Sequence, residues 1–136
     1  MSTVLVLDDD IIFRRLVVVA LEKRGHRVLA VGRAAEADLL LTKEMPDLLV
    51  VDGLLPDTTG VAWLEKQRRA GRTTPVLFVT SFWKSMRDLD TVTKKLGATE
   101  LLGKPVEPAS LADRVDVMLG RSPRDHSRSK EPEETA

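Results

Sequence analysis

Residues 47–60 read DLLVVDGLLPDTTG, and the first half of that stretch decides the architecture. Leu48, Leu49, Val50 and Val51 are apolar without alternation, so a strand formed there must be covered on both faces. PVLFV at 75–79 repeats the pattern. Strands of that kind belong to parallel sheets held between helical layers. Working outward, three more short apolar runs follow the same logic: VLVL (4–7), RVLAV (27–31) and ELL (100–102).

Helical patterns separate these runs. Phe13, Leu16, Val17, Ala20, Leu21 and Arg24 recur at i, i+3, i+4, i+7 spacing, and Gly25 stops that helix. A second helix is predicted over 35–45, closed before Pro46, and a third over 61–70, closed by Gly71. A fourth is expected from about 85 to 96, ended by Gly97, and a fifth from Glu107-Pro108, with proline in the first turn. Ile12, Val18 and Val19 lie off the inner stripe of the first helix, as extra sheet-edge packing or as a docking surface. Strand and helix thus alternate five times across residues 1–120. The expected fold is α/β, a doubly wound five-stranded parallel sheet with five helices.

Such sheets carry their sites at the carboxyl ends of the strands. Asp8 and Asp9 follow the first strand, Asp52 the third, Thr80 the fourth and Lys104 the fifth. They converge if the strand order is 2-1-3-4-5, the flavodoxin-like arrangement. Three carboxylates near one point need positive charge among them, and no histidine or cysteine lies near enough to suggest a softer metal. A hard cation with oxygen ligands, Mg²⁺, fits best. A carboxylate flanked by metal, the Lys104 ammonium and the Thr80 hydroxyl is suited to accept a phosphoryl group. Asp10 is read instead as the start of the first helix.

Composition narrows the classes further. The 21 basic and 21 acidic residues of the 136-residue chain cancel, which argues against a nucleic-acid or membrane-surface partner. The absence of cysteine excludes disulfides and thiolate metal sites. No apolar run approaches the roughly 20 residues of a membrane span, and no signal-peptide pattern opens the chain. A cytoplasmic protein is expected. From Arg121 to Ala136 no large apolar residue occurs, so 121–136 reads as a disordered tail or linker.

The ordered set Asp8-Asp9, Asp52, Pro56 and Gly60 in DGLLPDTTG, Thr80 in VTS, and Lys104-Pro105 in GKPV resembles the receiver domains of two-component response regulators. The likeness covers about residues 3–120 and extends to the stand-alone, chemotaxis-regulator-like form. It implies Asp52 as phosphoacceptor, and Mg²⁺ held by Asp8, Asp9, Asp52 and the backbone carbonyl of Leu54. It further implies Thr80 and Lys104 on the phosphoryl group, and a cis bond before Pro105. The phosphoryl source would be a histidine kinase or phosphotransfer protein, and the output a contact with a protein effector. On this reading the chain is a signalling switch rather than an enzyme.

Two departures from that family stand out. Leu101 occupies the position of its usual aromatic switch, and the segment after Thr80 is about two residues longer than typical. Phe82 and Trp83 in that segment are candidate modulators of the phosphoryl group or of partner docking. One alternative is a receiver cut from a longer regulator with an effector domain beyond residue 136. Another is a Mg²⁺-dependent aspartyl-phosphate phosphatase, since DDD also contains Asp8-x-Asp10. That scheme leaves Asp52 and Lys104-Pro105 without a purpose.

Overall fold

The structure, a computed structural model, describes residues 1–81, 96–97 and 99–121. Its strands are β1 (Thr3–Leu7), β2 (Arg27–Val31), β3 (Leu48–Val51), β4 (Val76–Thr80) and β5 (Thr99–Gly103). They form one parallel sheet in the order β2-β1-β3-β4-β5, as the sequence predicts. Four helices accompany them among the described residues: α1 (Ile11–Lys23), α2 (Ala34–Leu41), α3 (Gly60–Arg69) and α4 (Pro108–Met118). The helix expected over 85–96 lies outside the described residues except for Leu96, which is helical. Phe82, Trp83 and the segment after Arg121 also lie outside them.

Side chains that alternate along the strands sort into two cores. Leu5, Leu7, Leu49, Val51, Val76 and Phe78 pack with Ala37 of α2 and with Trp63 and Leu64 of α3. Val4, Val6, Leu48, Val50, Leu77 and Val79 pack with Val17 and Leu21 of α1 and with Leu111 and Val115 of α4. The unbroken apolar character of β3 and β4 follows, because each residue meets a helix on one side or the other. Leu101 stands beside Phe78 in the β4–β5 ladder and packs against the first core.

Helix ends explain where the sequence reading was off. α2 stops at Leu41, short of residue 45, because the Thr42 hydroxyl bonds back to the Leu39 carbonyl at 2.7 Å and competes with the next helical turn. Gly25 and Gly71, with φ of 86° and 89°, close α1 and α3 in the left-handed conformation that side chains disfavour. On α1, Leu16 was expected inward but is 51% exposed, in line with Ile12 and Val19 at 73% and 49%. Val18 is half-buried. The buried stripe is narrower than the spacing suggested.

α2 and α3 are tied by Asp38, whose carboxylate accepts from Trp63 Nε1 (2.8 Å), Lys66 Nζ (2.8 Å) and Gln67 Nε2 (3.1 Å). Burial pushes the Asp38 carboxyl up, but those donors outweigh it and hold it below the usual range. Among the described residues no helix is long and apolar enough to cross a membrane.

Candidate functional site

Asp8, Asp52 and Lys104 each sit one residue past a strand while the ladder continues through their backbones. Asp8 N–H donates to Val31 O (3.1 Å), Asp52 N–H to Leu7 O (2.9 Å) and Lys104 N–H to Thr80 O (2.9 Å). Sheet geometry therefore fixes the root of each side chain, and the strand order brings them together. One carboxylate oxygen from each of Asp8, Asp9 and Asp52 lies within 4.8 Å of the others. Asp8 and Asp52 are buried, and Asp9 is exposed at the mouth. Thr80, at the end of β4, is fully buried beside them in the sheet.

Lys104 Nζ reaches across the site, 2.9 Å from Asp8 Oδ2 and 3.4 Å from Asp52 Oδ2. The Lys104–Pro105 peptide bond is cis. The second oxygen of each carboxylate is also engaged. Asp8 Oδ1 accepts from Asp10 N–H at 2.9 Å, and Asp52 Oδ1 from Leu54 N–H at 3.2 Å. Asp10 itself caps α1, its carboxylate accepting from Phe13 N–H at 3.0 Å, as the sequence predicts.

Burial pushes the Asp8 carboxyl above the usual carboxylate range, although Lys104 and the Asp10 N–H pull it down and Asp52 pushes it up. For Lys104 burial works the other way, but Asp8 and then Asp52 outweigh it and raise the ammonium. The two shifts do not mirror each other, because desolvation opposes the charge of both partners while only the lysine gains two counter-charges. One ammonium among three carboxylates leaves the site short of positive charge.

The donor set fits a hard cation: three carboxylates and the neighbouring backbone, with no nitrogen or sulfur ligand among them. A cavity of about 380 Å³ opens over Asp9 and Asp52, lined also by Leu54, Leu55, Pro56 and Ser81. Leu54 stands at its rim, half-exposed.

The supporting roles of Arg14 and Asp57 escaped the sequence reading. Arg14 Nη1 donates to the Asp8 carbonyl at 2.7 Å, locking the turn that carries the acidic pair. The N–H groups of Ala34 and Ala35 both donate to Asp57, at 3.1 Å each, so the loop after Asp52 caps α2 from outside. Those two bonds hold the Asp57 carboxyl below the usual range. Arg33 offers no side-chain cap, which was the available signal that the cap must come from elsewhere. The structure explains Gly60, the small residue that opens α3. Its N–H donates to Gly53 O at 2.9 Å, and a β-carbon there would collide with the Asp52 carbonyl oxygen.

Fold, acidic cluster and bridging lysine define an α/β domain with a hard-cation site at the carboxyl edge of its sheet, and comparison with known proteins gives its class. The chain belongs to the response regulator receiver domain family, whose model matches residues 4–116. It is 30% identical over 122 residues to the virulence transcriptional regulatory protein PhoP of Salmonella typhimurium, covering 90% of this chain and 54% of that protein. It is 28% identical over 121 residues to the phosphate regulon transcriptional regulatory protein PhoB of Pseudomonas aeruginosa, covering 89% of this chain and 53% of that one. The chain thus spans about half the length of these curated relatives.

Among solved structures, it resembles a putative response regulator from Chloroflexus aurantiacus, with 30% identity and a TM-score of 0.75 over 88% of this chain and 98% of that one. It also resembles the chemotaxis response regulator CheY4 of Vibrio cholerae, with 28% identity and a TM-score of 0.77 over 87% and 98% of the two chains.

Proposed function

We propose that the chain is a phosphorylation-dependent signalling switch that accepts a phosphoryl group on Asp52. The observation that carries this reading is the meeting of Asp8, Asp9 and Asp52 within 4.8 Å, with Lys104 bridging two of them. In the reaction, an Asp52 oxygen attacks the donor's phosphorus. The new O–P bond forms as the donor's N–P bond breaks, and the electron pair returns to an imidazole nitrogen of a histidine kinase or phosphotransfer protein. Asp8, Asp9, Asp52 and the Leu54 carbonyl would hold Mg²⁺, which supplies charge neutralisation for the phosphoryl oxygens when bound. Lys104 orients those oxygens from the opposite side, and the Thr80 hydroxyl takes up one of them. The phosphoryl group held on Asp52 is itself the signal, so on this reading the protein is a cytoplasmic switch rather than an enzyme. Its output is contact with a protein effector.

Acetyl phosphate provides the direct test, since there an O–P bond breaks and acetate leaves. With Mg²⁺, the intact mass is expected to rise by one phosphoryl group in the wild type and to stay unchanged in Asp52→Ala. An unmodified wild type, or equal modification of the variant, contradicts the reading.

The exposed apolar stripe of α1 (Ile12, Leu16 and Val19) begins one turn from the acidic pair. A donor protein that reaches Asp52 would cover it. Alanine at Ile12 and Val19 is therefore expected to slow transfer from the cognate kinase at least severalfold while leaving the acetyl phosphate rate unchanged. Equal kinase rates would remove α1 from the docking surface.

A second reading is favoured by the curated relatives, which are transcriptional regulators about twice as long. On it, the same receiver chemistry controls an attached effector domain, and the length of the natural gene product separates the two.

A further inference from the structure

We propose that Phe13 is a positioning residue for Lys104, its ring face holding the ammonium in the pocket while the lysine changes partners. The inference rests on the phosphoacceptor reading of Asp52. Lys104 Nζ lies 4.4 Å from the Phe13 ring centroid, with Asp8 and Asp52 on its other sides. The lysine side chain is only 14% exposed, so little water is available to stabilise it.

Lys104 has three N–H donors, two of them directed at Asp8 and Asp52, so taking up phosphoryl oxygens redistributes its contacts. Both carboxylates belong to the cluster that would hold a cation. The passage of the ammonium toward phosphoryl oxygens takes place within a largely buried space. An aromatic face suits that passage. It attracts a cation through its quadrupole, takes no proton, and adds no negative charge to a site that already has three carboxylates. A further carboxylate in its place would trap the lysine, and an aliphatic side chain would leave the charge facing hydrocarbon.

Phe13 is itself well placed for this task. Its backbone N–H is held by the Asp10 carboxylate, and its side chain packs against the core between α1 and α4. The third carboxylate of DDD thus acts at one remove: it fixes the helix start, the helix start fixes the ring, and the ring steadies the lysine.

The test compares Phe13→Leu, Phe13→Trp and pentafluorophenylalanine at position 13, which keeps the ring's shape but reverses its quadrupole. Two measurements are made on each. One is the rate of phosphorylation by acetyl phosphate and Mg²⁺, and the other is the proton shifts of the Lys104 ε-methylene, which the ring current displaces. Leucine and the fluorinated ring are expected to slow phosphorylation about three- to tenfold, with tryptophan near the wild type. Phe13→Leu is also expected to move the Lys104 resonances. A wild-type rate in Phe13→Leu overturns the proposal, as does a wild-type rate with the fluorinated ring, which would leave packing alone. If the wild type is phosphorylated in either case, the phosphoacceptor reading survives; a wild type that gains no phosphoryl group overturns both.

Discussion

Lys104→Met is expected to slow phosphorylation of Asp52 by about 10²–10³-fold, the usual loss when one buried donor to a developing charge is removed. Methionine matches the length and volume of the lysine stem, so packing changes little and the missing ammonium dominates. In the absence of divalent cations the variant should also lose stability. Breaking a buried pair typically costs about 3–5 kcal/mol, and Asp8 would be left 2% exposed with Asp52 as its near neighbour. Mg²⁺ should then reverse the order. In the wild type Lys104 engages Asp8 at Oδ2, on a carboxylate that would also hold the metal, whereas in the variant the ammonium no longer competes for that carboxylate. Mg²⁺ is therefore expected to bind the variant more tightly and to raise its melting temperature more than that of the wild type. Calorimetric titration and thermal melts with and without Mg²⁺ check this. Weaker Mg²⁺ binding in the variant would show that the lysine supports the metal site instead of competing with it.

The sheet was legible because burial on both faces leaves a continuous apolar run, and β3 and β4 carry one each. The site was legible for a related reason. Parallel strands all end at one edge, so polar residues that follow apolar runs gather there whatever their separation in sequence. Asp8 and Lys104 are 96 positions apart, yet the order β2-β1-β3-β4-β5 makes their approach a consequence of topology.

Contacts that no topology rule announces were harder to see. Asp57 caps α2 from 22 and 23 positions away, and only the lack of a capping side chain at Arg33 hinted that something must. Leu16 satisfied the helical period but faces outward, because α1 meets the sheet and α4 along a narrower line than the period alone implies. Phe13 was read as a core residue, which it is in part. Its contact with Lys104 depends on the rotamer of a side chain from the far end of the chain. Arg24 fitted the helical period of α1 but is its C-cap and only partly buried, and its partners lie about 90 residues on.

Those partners set up the largest expected loss of stability. Asp116 is fully buried at the end of the sheet opposite Asp52, where α1 and β2 meet α4. Its carboxylate accepts from Arg24 Nη1 at 3.0 Å and lies 2.7 Å from His26 Nε2 and 3.6 Å from Arg121 Nη1. Arg24 also pairs with Asp113 at 2.8 Å, and Arg121 Nη2 donates to the Arg24 carbonyl at 3.1 Å. Burial alone would lower the Arg24 pKa, but Asp113 and Asp116 outweigh it and raise it.

Asp116→Ala leaves a largely buried guanidinium with one half-exposed carboxylate partner and a buried imidazole facing an empty acceptor position. The expected cost is about 3–5 kcal/mol, against the roughly 5–15 kcal/mol that holds a typical domain together. Urea unfolding should show the midpoint falling steeply. Asp116→Leu combined with Arg24→Met should recover much of the loss, because a vacated pair costs far less than a widowed charge. The folded fraction of Asp116→Ala should still accept phosphate on Asp52, since the network touches none of the site's side chains. A change below about 1 kcal/mol would mean that Arg24 and His26 find water or Asp113 instead, as surface ion pairs do.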